Sequence, residues 1–374
     1  MAGLCVCTIV TNTYRANGEV LAQSVREHNP DADVVVVNLE VDPASELGLD
    51  RHELLRLAAM YDGPGLAAAL KPYVIRRLLG DGADTVIFLD ADIEVFAPLD
   101  LAVALASEHG VVLTPHITNP RASLEPWFLP SGILNGGFAA VSSNMTRFPD
   151  WWAARTARHS HYAPEEGYFH EQRWLDFAPS FFGAHVLRDP SYNVMGWNLH
   201  ERSVPPVTFF HFCGGFDPHR ADRLATMPGL PWPSLEEYPA VLELCRAYAA
   251  KLLAAGYDEA KRQPYGYGET AGGLTIDGRM RRLYREALLA AEATGGDEPP
   301  NPFLEGSRFV DWLLDPVDDT GLTRYLLGVR LERVDLRMAF PDVPGRDSTR
   351  FMEWVVGEPA NQATIPALFL PSAV

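Results

Sequence analysis

The sequence predicts an α/β fold, a mostly parallel sheet with helices on both faces followed by a helical C-terminal region, and three observations carry that reading. Runs of β-type residues alternate with helical patterns over the first 90 residues. The second of those runs, residues 34–39, is nearly continuous in β-branched side chains, as strands covered on both faces are. The third, Val86-Ile87-Phe88-Leu89, is wholly apolar and ends on two acids one residue apart, Asp90 and Asp92.

Taken in order, residues 4–10 form a short first strand, followed by the polar stretch Thr11-Asn12-Thr13-Tyr14. A helix over 16–28 places Val20, Leu21 and Val25 on one side, and Asn29-Pro30-Asp31 stops it. After the strand at 34–39, helical material runs over 51–79, interrupted at Gly63-Pro64-Gly65 and stressed again by Pro72. The turn Gly80-Asp81-Gly82-Ala83-Asp84 then leads into the strand at 86–89. In an open parallel sheet ligands bind outside the carboxyl ends of the strands, and both Thr11 to Tyr14 and Asp90 to Asp92 occupy such ends. Residues 111–114 and 138–141 read as further strands, separated by Pro-rich and aromatic loops. Beyond Arg220 the texture changes to long helical patterns at 235–255, 279–293, 307–314 and 323–337. The expected division is therefore a sheet domain over 1–220 and a mainly helical domain over 221–374.

Bulk composition narrows the function classes. With 374 residues, 47% hydrophobic and 21% charged, the chain is ordinary globular material long enough for a large core. A formal net charge of -18 with no basic run repels phosphodiester backbones and anionic bilayers, so nucleic acid is not an expected partner. Cys5, Cys7, Cys213 and Cys245 lack zinc-ligand spacing and read as reduced core thiols. No basic segment precedes a long apolar stretch at the N-terminus, and no window reaches the roughly 18 apolar residues a membrane span needs. The expectation is a cytoplasmic protein without a transmembrane segment, its oligomeric state left open.

Asp90-Ala91-Asp92 is the most informative feature. Two ionised carboxylates side by side at the end of an apolar strand repel one another and lose hydration, and a divalent cation resolves both costs. The competing account is a pair of solvated acids at a turn.

Set beside Thr11-Asn12-Thr13-Tyr14, Lys71, Asn135-Gly136-Gly137, Glu171-Gln172-Arg173-Trp174-Leu175-Asp176, Tyr192-Asn193 and His211-Phe212-Cys213-Gly214-Gly215, the acids acquire a context. In order and spacing these pieces resemble the glycogenin-like (family 8-like) retaining glycosyltransferases of the GT-A fold, and in particular a bacterial subset of them. The resemblance covers the first 220 residues or so. It implies a Rossmann-like GT-A domain, a nucleotide-sugar donor and a metal ion.

On that resemblance Asp90, Asp92 and His211 hold the metal, and their mix of hard carboxylates with an imidazole suits Mn2+, or alternatively Mg2+. Thr11, Asn12 and Tyr14 face the nucleoside. Lys71, just before a proline that favours the first turn of a helix, and Gly136, Gly137, Asn193, Gly214 and Gly215 line the donor phosphates and sugar. Glu171, Gln172 and Asn135 are the catalytic candidates. The family usually has Asp-Gln where this chain has Glu171-Gln172, so Glu171 either reaches the sugar or orients Gln172. The family's phosphate-binding lysine is not evident after Gly215, and His219 or Arg220 is offered in its place. Trp197, with Asn198 and Arg202, is a candidate sugar wall.

The function expected is metal-dependent, retaining transfer of a hexose from a nucleotide sugar, a UDP-sugar foremost, to an acceptor that the sequence does not name. The alternatives are a non-catalytic nucleotide-sugar-binding protein and a haloacid-dehalogenase-type phosphatase, whose nucleophilic aspartate also opens a D-x-D after an apolar strand.

Overall fold

The computed structural model describes residue 3, residues 4–41, 43–202, 206–224, 232–357 and 365–371. By compactness the chain divides into two units, Met1–Leu54 with Gly63–Gly266, and Leu55–Asp62 with Tyr267–Val374.

In the first unit, strand β1 (Leu4–Val10) leads through a 3-10 turn to helix α1 (Arg15–His28), then β2 (Asp33–Asn38). Helices α2 (Pro43–Leu47), α3 (Arg51–Met60) and α4 (Gly63–Gly80) precede β3 (Thr85–Leu89) and the short β4 (Ile93–Val95). Next come α5 (Asp100–His109), β5 (Val111–Pro115), α6 (Glu125–Ser131), β6 (Leu134–Ser142) and α7 (Arg147–His159). The small hairpin β7 (Tyr162–Ala163) and β8 (Tyr168–Phe169), α8 (Ala178–Phe182), β9 (His185–Val186) and β10 (Phe209–His211) complete the strands. Helices α9 (Pro239–Ala254) and α10 (Tyr257–Lys261) close this unit.

The main sheet has six strands in the order β2-β1-β3-β6-β5-β9. Strands β1–β2, β1–β3 and β5–β9 pair in parallel, while β6 runs antiparallel to both β3 and β5. The sheet is thus mostly parallel, as expected, with one reversed strand at its centre. Residues of alternating parity bury opposite faces. Val6, Ile87, Val112 and Ala140 pack with Leu21 and Val25 of α1 and Ala102 and Ala106 of α5. On the other face, buried Cys5, Cys7 and Phe88 lie on the side of α4, whose Lys71 ammonium sits 5.1 Å above the Phe88 ring. The four cysteines are free thiols.

The interruption read at Gly63-Pro64-Gly65 is present, between α3 and α4, whereas the helix start read at Pro72 is not. The break at Gly63-Pro64-Gly65 is the start of α4, with proline in its first turn, where its missing N–H costs nothing. Pro72, by contrast, lies inside that helix, so Lys71 is mid-helix and not at a terminus. The Thr156 hydroxyl of α7 donates to the Ala69 carbonyl (2.9 Å) at the turn that Pro72 disturbs.

A second, two-stranded sheet pairs β4 antiparallel with β10, placing His211 opposite Ile93. Helix α9 backs this sheet. Tyr248 stacks on Phe212 with ring centroids 3.8 Å apart, and its hydroxyl accepts from Asn17 Nδ2 of α1 at 3.0 Å.

In the second unit, α11 (Gly278–Thr294), α12 (Phe309–Leu314), α13 (Arg324–Glu332), α14 (Val334–Ala339) and α15 (Ser348–Gly357) form a helical body. The pattern expected as one helix over 323–337 is two, α13 and α14. Buried Arg281 of α11 donates to the Tyr61 carbonyl at 2.7 Å and to the Tyr267 carbonyl at 2.6 Å, tying the end of α3 into this unit. Among the described residues no helix is long and apolar enough to cross a membrane.

Candidate active site

Strand β3 delivers Asp90 at its carboxyl end, and the chain turns at once into β4, with the Ile93 amide donating to the Asp90 carbonyl (3.1 Å). The turn is pinned on both sides. The Asp90 amide donates to the Gly137 carbonyl of β6 (2.9 Å), and the Phe212 amide donates to the Asp92 carbonyl (2.8 Å). These bonds bring His211 beside the two acids, with Nε2 3.1 Å from Asp92 Oδ1 and 3.9 Å from Asp90 Oδ2. One ligand atom from each of the three lies within 4.8 Å of the others, a grouping that can hold a metal ion.

Charge is unbalanced at this point. Lys71 Nζ reaches Asp90 Oδ1 at 2.8 Å, Glu171 Oε1 at 2.6 Å and the Gly136 carbonyl at 3.0 Å. One ammonium therefore serves two carboxylates. Desolvation opposes the charge on Lys71, yet Asp90 and Glu171 hold its pKa above the ordinary lysine value. Desolvation pushes the Asp90 carboxyl up despite Lys71 and His211 beside it. Burial disfavours charge on His211, but Asp92 and then Asp90 outweigh it and raise the imidazole. Three acids against one lysine and a titrating imidazole leave the site short of positive charge, and a divalent cation held by Asp90, Asp92 and His211 fits that deficit.

The acids open onto a pocket of about 550 Å3 lined by Thr11, Tyr14, Lys71, Asp90, Asp92, Gly136, Glu171 and Gln172, all of which the sequence reading names. Thr13, within the stretch the sequence reading singled out, also lines it, as do Gly63, Pro64, Phe169, His170 and Tyr265, to which that reading gave no place in the site. The N-terminal end of α4 lies along this wall, so the positive end of its dipole faces the pocket from Gly63, not from Pro72.

Glu171 lines the pocket from a nearly buried position, and among the described residues no side-chain hydrogen bond joins it to Gln172. Its carboxylate is buried against Lys71, and its carbonyl accepts from Trp152 Nε1 of α7 at 3.1 Å. Gln172 is held separately, its Oε1 accepting from the Gly136 amide (2.9 Å) and its Nε2 donating to the Ser131 carbonyl (2.9 Å).

Asn135, Gly137, Asn193 and His211 stand behind this wall. Asn135 Oδ1 accepts from the Gly137 amide (3.0 Å) and from Asn193 Nδ2 (3.1 Å), and its Nδ2 lies 3.3 Å from His116 Nε2. Burial pushes the His116 pKa down to about 4, and because the Asn135 amide nitrogen only donates, Nε2 is the accepting nitrogen of the neutral ring. Asn193 has φ +53, a left-handed conformation that asparagine tolerates, and it reaches Thr114 Oγ1 at 2.7 Å. Gly214 and Gly215 occupy the turn after β10 with φ +84 and +79. Asn12 does not line the pocket and is engaged beside it, its backbone amide donating to Glu40 Oε2 (2.9 Å) and its Oδ1 accepting from Asn38 Nδ2 (3.0 Å).

The glycine pair of β6 has a packing reason as well. A Cβ at Gly137 would stand 2.4 Å from His211 Cε1, and one at Gly136 2.5 Å from Glu171 Oε1. Gly137→Ala is therefore expected to push the imidazole aside and weaken Mn2+ binding about tenfold, measured calorimetrically beside a melting curve that shows a folded protein. Wild-type Mn2+ affinity in that variant would remove His211 from the ligand set.

His219 and Arg220 do not line the pocket; His219 Nε2 pairs with Asp258 at 2.7 Å and Arg220 lies 3.8 Å from Asp222. A second cation that approaches the pocket, besides Lys71, is Lys261 of α10, whose ammonium stands 3.9 Å above the ring of pocket-lining Tyr14. Burial lowers its pKa while Asp92 opposes the shift. Nothing in the local sequence marks Lys261, since a lysine on a short helix is ordinary. Trp197, Asn198 and Arg202 likewise lie outside the pocket lining. Trp197 packs near His116 and Trp232, and Arg202 donates to the carbonyls of Asp189 (2.7 Å) and Tyr192 (2.9 Å).

No protein-family profile matches the sequence. YfnF of Bacillus subtilis (strain 168), an uncharacterised protein, is 21% identical over 247 residues, which are 56% of this chain and 80% of that protein. Among solved structures, a glycosyltransferase involved in glycosylation of the major capsid of PBCV-1 is similar at a TM-score of 0.39 and 15% identity, over 57% of this chain and 94% of that one. The galactosyltransferase LgtC in complex with donor and acceptor sugar analogs is similar at a TM-score of 0.36 and 15% identity, over 64% and 95%. The glycosyltransferase GlyE of Streptococcus pneumoniae TIGR4 is similar at 0.40 and 11% identity, over 71% and 66%.

Proposed function

We propose that this chain is a bacterial, cytoplasmic, metal-dependent glycosyltransferase of GT-A fold that moves a hexose from a nucleotide sugar, foremost a UDP-sugar, with retention of configuration. The observation that carries the reading is the convergence of Asp90, Asp92 and His211 with Lys71 and Glu171 at a pocket beside the ends of β1 and β3. Phosphoryl oxygens of a departing nucleoside diphosphate gain negative charge, and a divalent ion on the Asp90-Asp92-His211 group supplies the matching positive charge. The N-terminal end of α4 and Lys261 add positive potential around the same phosphates. Tyr14 offers its ring face to the base and Thr11 its hydroxyl to the nucleoside. Glu171 and Gln172 are assigned to stabilise oxocarbenium-like charge on the sugar, with Asn135 holding the Gly137 amide and Gln172 the Gly136 amide. Donor chemistry in this reading belongs to residues 1–220, joined by Tyr265 and Lys261, and the helical remainder to the acceptor or to assembly.

The test is to incubate the protein with Mn2+ and a panel of UDP-hexoses, follow release of UDP, and read the anomeric coupling constant of the product by NMR. An α-linked donor giving an α-configured product supports the proposal, whereas a β-configured product places the chain among inverting enzymes. Cleavage of p-nitrophenyl phosphate with no UDP release would favour the phosphatase instead. Tight UDP-hexose binding without any turnover would favour a binding protein.

A further inference from the structure

His170 lines the pocket immediately before Glu171 and has no part in the account so far. Its backbone is left-handed, φ +48, a region that few residues with a side chain enter although histidine is among those that tolerate it. That conformation lets the chain reverse at the end of β8, where the His170 amide donates to the His161 carbonyl at 3.1 Å, and turns the next residue, Glu171, inward to Lys71.

The ring is fixed as well. His170 Nδ1 lies 3.2 Å from the Ser160 carbonyl oxygen. A carbonyl only accepts, so Nδ1 carries a hydrogen, and in the neutral imidazole Nε2 is then left with its lone pair. Rings of Tyr162 and Phe169 flank it, with centroids 5.6 and 6.2 Å away. Among the described residues no protein group is found on Nε2, while the neighbouring polar groups are committed, Lys71 to two carboxylates and the Gln172 amide to Gly136 and Ser131.

Position along the pocket says which part of a ligand would meet this acceptor. Helix α4 runs the length of the wall, from Gly63, which faces Thr11 and Tyr265, to Lys71, which holds Glu171. Eight residues of helix span about 12 Å, the scale that separates a nucleoside from a sugar across a diphosphate. His170 is at the Glu171 end.

We propose that His170 is a sugar-reading residue, its Nε2 accepting a hydrogen bond from a hydroxyl of the transferred hexose while making no contact with the nucleotide. This rests on the nucleotide-sugar reading of the pocket. His170 is half-buried, and a site that aims a hydrogen-bond acceptor at a hydroxyl discriminates against sugars lacking it more sharply than an apolar wall does.

The experiment compares wild type, His170→Asn and His170→Gly. Asparagine tolerates the left-handed backbone and offers an amide N–H to the Ser160 carbonyl, but has no atom where Nε2 stands. Glycine removes the conformational cost altogether, so its melting temperature should equal or exceed that of wild type. Each protein is titrated calorimetrically in Mn2+ with UDP, then with UDP-glucose, UDP-galactose and their N-acetyl counterparts. The UDP-hexose that wild type binds most tightly should bind both variants about tenfold more weakly, with UDP affinity unchanged within twofold. If wild type binds UDP but the hexose affinity is the same in all three proteins, the proposal is overturned and the nucleotide-sugar reading stands. Equal weakening of UDP and UDP-hexose also overturns it, since His170 would then shape the pocket and not read the sugar. If wild type binds none of these probes, the nucleotide-sugar reading itself falls and takes the proposal with it.

Discussion

Asp92→Asn is expected to lower Mn2+-dependent UDP release from a UDP-hexose by a hundredfold or more while leaving the fold intact. Asparagine preserves the shape of the side chain and leaves the backbone bond from the Phe212 amide to the residue 92 carbonyl untouched. What it removes is the negative charge 3.1 Å from His211 Nε2. With that charge gone the cation keeps at most a neutral amide oxygen at position 92, and the loss of one placed charge at a developing oxyanion's counter-ion is worth several kcal/mol, or a factor of about 10² to 10³ in rate. The check is an initial-rate assay across Mn2+ concentration, paired with a melting curve. A variant that turns over at the wild-type rate and with the same Mn2+ dependence would take Asp92 out of the metal site.

Lys71→Met is expected to destabilise the sheet-bearing unit by about 3–5 kcal/mol, seen as a fall of roughly 10 °C in its unfolding midpoint. Lys71 is 6% exposed, and its ammonium is shared by Asp90 at 2.8 Å and Glu171 at 2.6 Å. Methionine fills the space but strands two carboxylates, and a buried charge without its partner costs more than the pair was worth. The mechanism makes a second statement that can be measured. Lys71→Met/Glu171→Gln removes one stranded charge along with the cation and should recover about half of the lost stability. Equal midpoints for the single and double variants would mean that packing of α4, not the ion pair, is what Lys71 supplies.

The strand order of the first 90 residues was legible because its signals are local. The apolar run 86–89 becomes β3, and the acids after it fall at its carboxyl end as read. Antiparallel β6 was not legible, since residues 134–142 carry the same apolar texture whichever way they run and only the fold fixes direction. The same holds for the helix terminus. Pro72 reads as a start, yet the packing of α4 against β1, β3 and α7 carries the helix through it, and the start falls at Gly63.

In the site, Asp90, Asp92, Lys71, Glu171 and His211 were identified from the sequence, and the structure gathers them. What the sequence left hidden is the means of gathering. The antiparallel pairing of β10 on β4 spans more than a hundred residues, so nothing near His211 announces that it will face Ile93. Trp152 and Lys261 were missed for a related reason. Their types are common in cores and on surfaces, and only the fold shows that one holds the Glu171 carbonyl and the other stands over Tyr14.

The most direct test of the central claim, that Asp90, Asp92 and His211 hold a divalent ion on which a nucleoside diphosphate binds, is calorimetric titration of UDP into the wild-type protein in Mn2+ and again in EDTA. The account predicts saturable binding in Mn2+ that weakens by at least about tenfold in EDTA. Binding of equal strength in both solutions, or no binding in Mn2+, would contradict it.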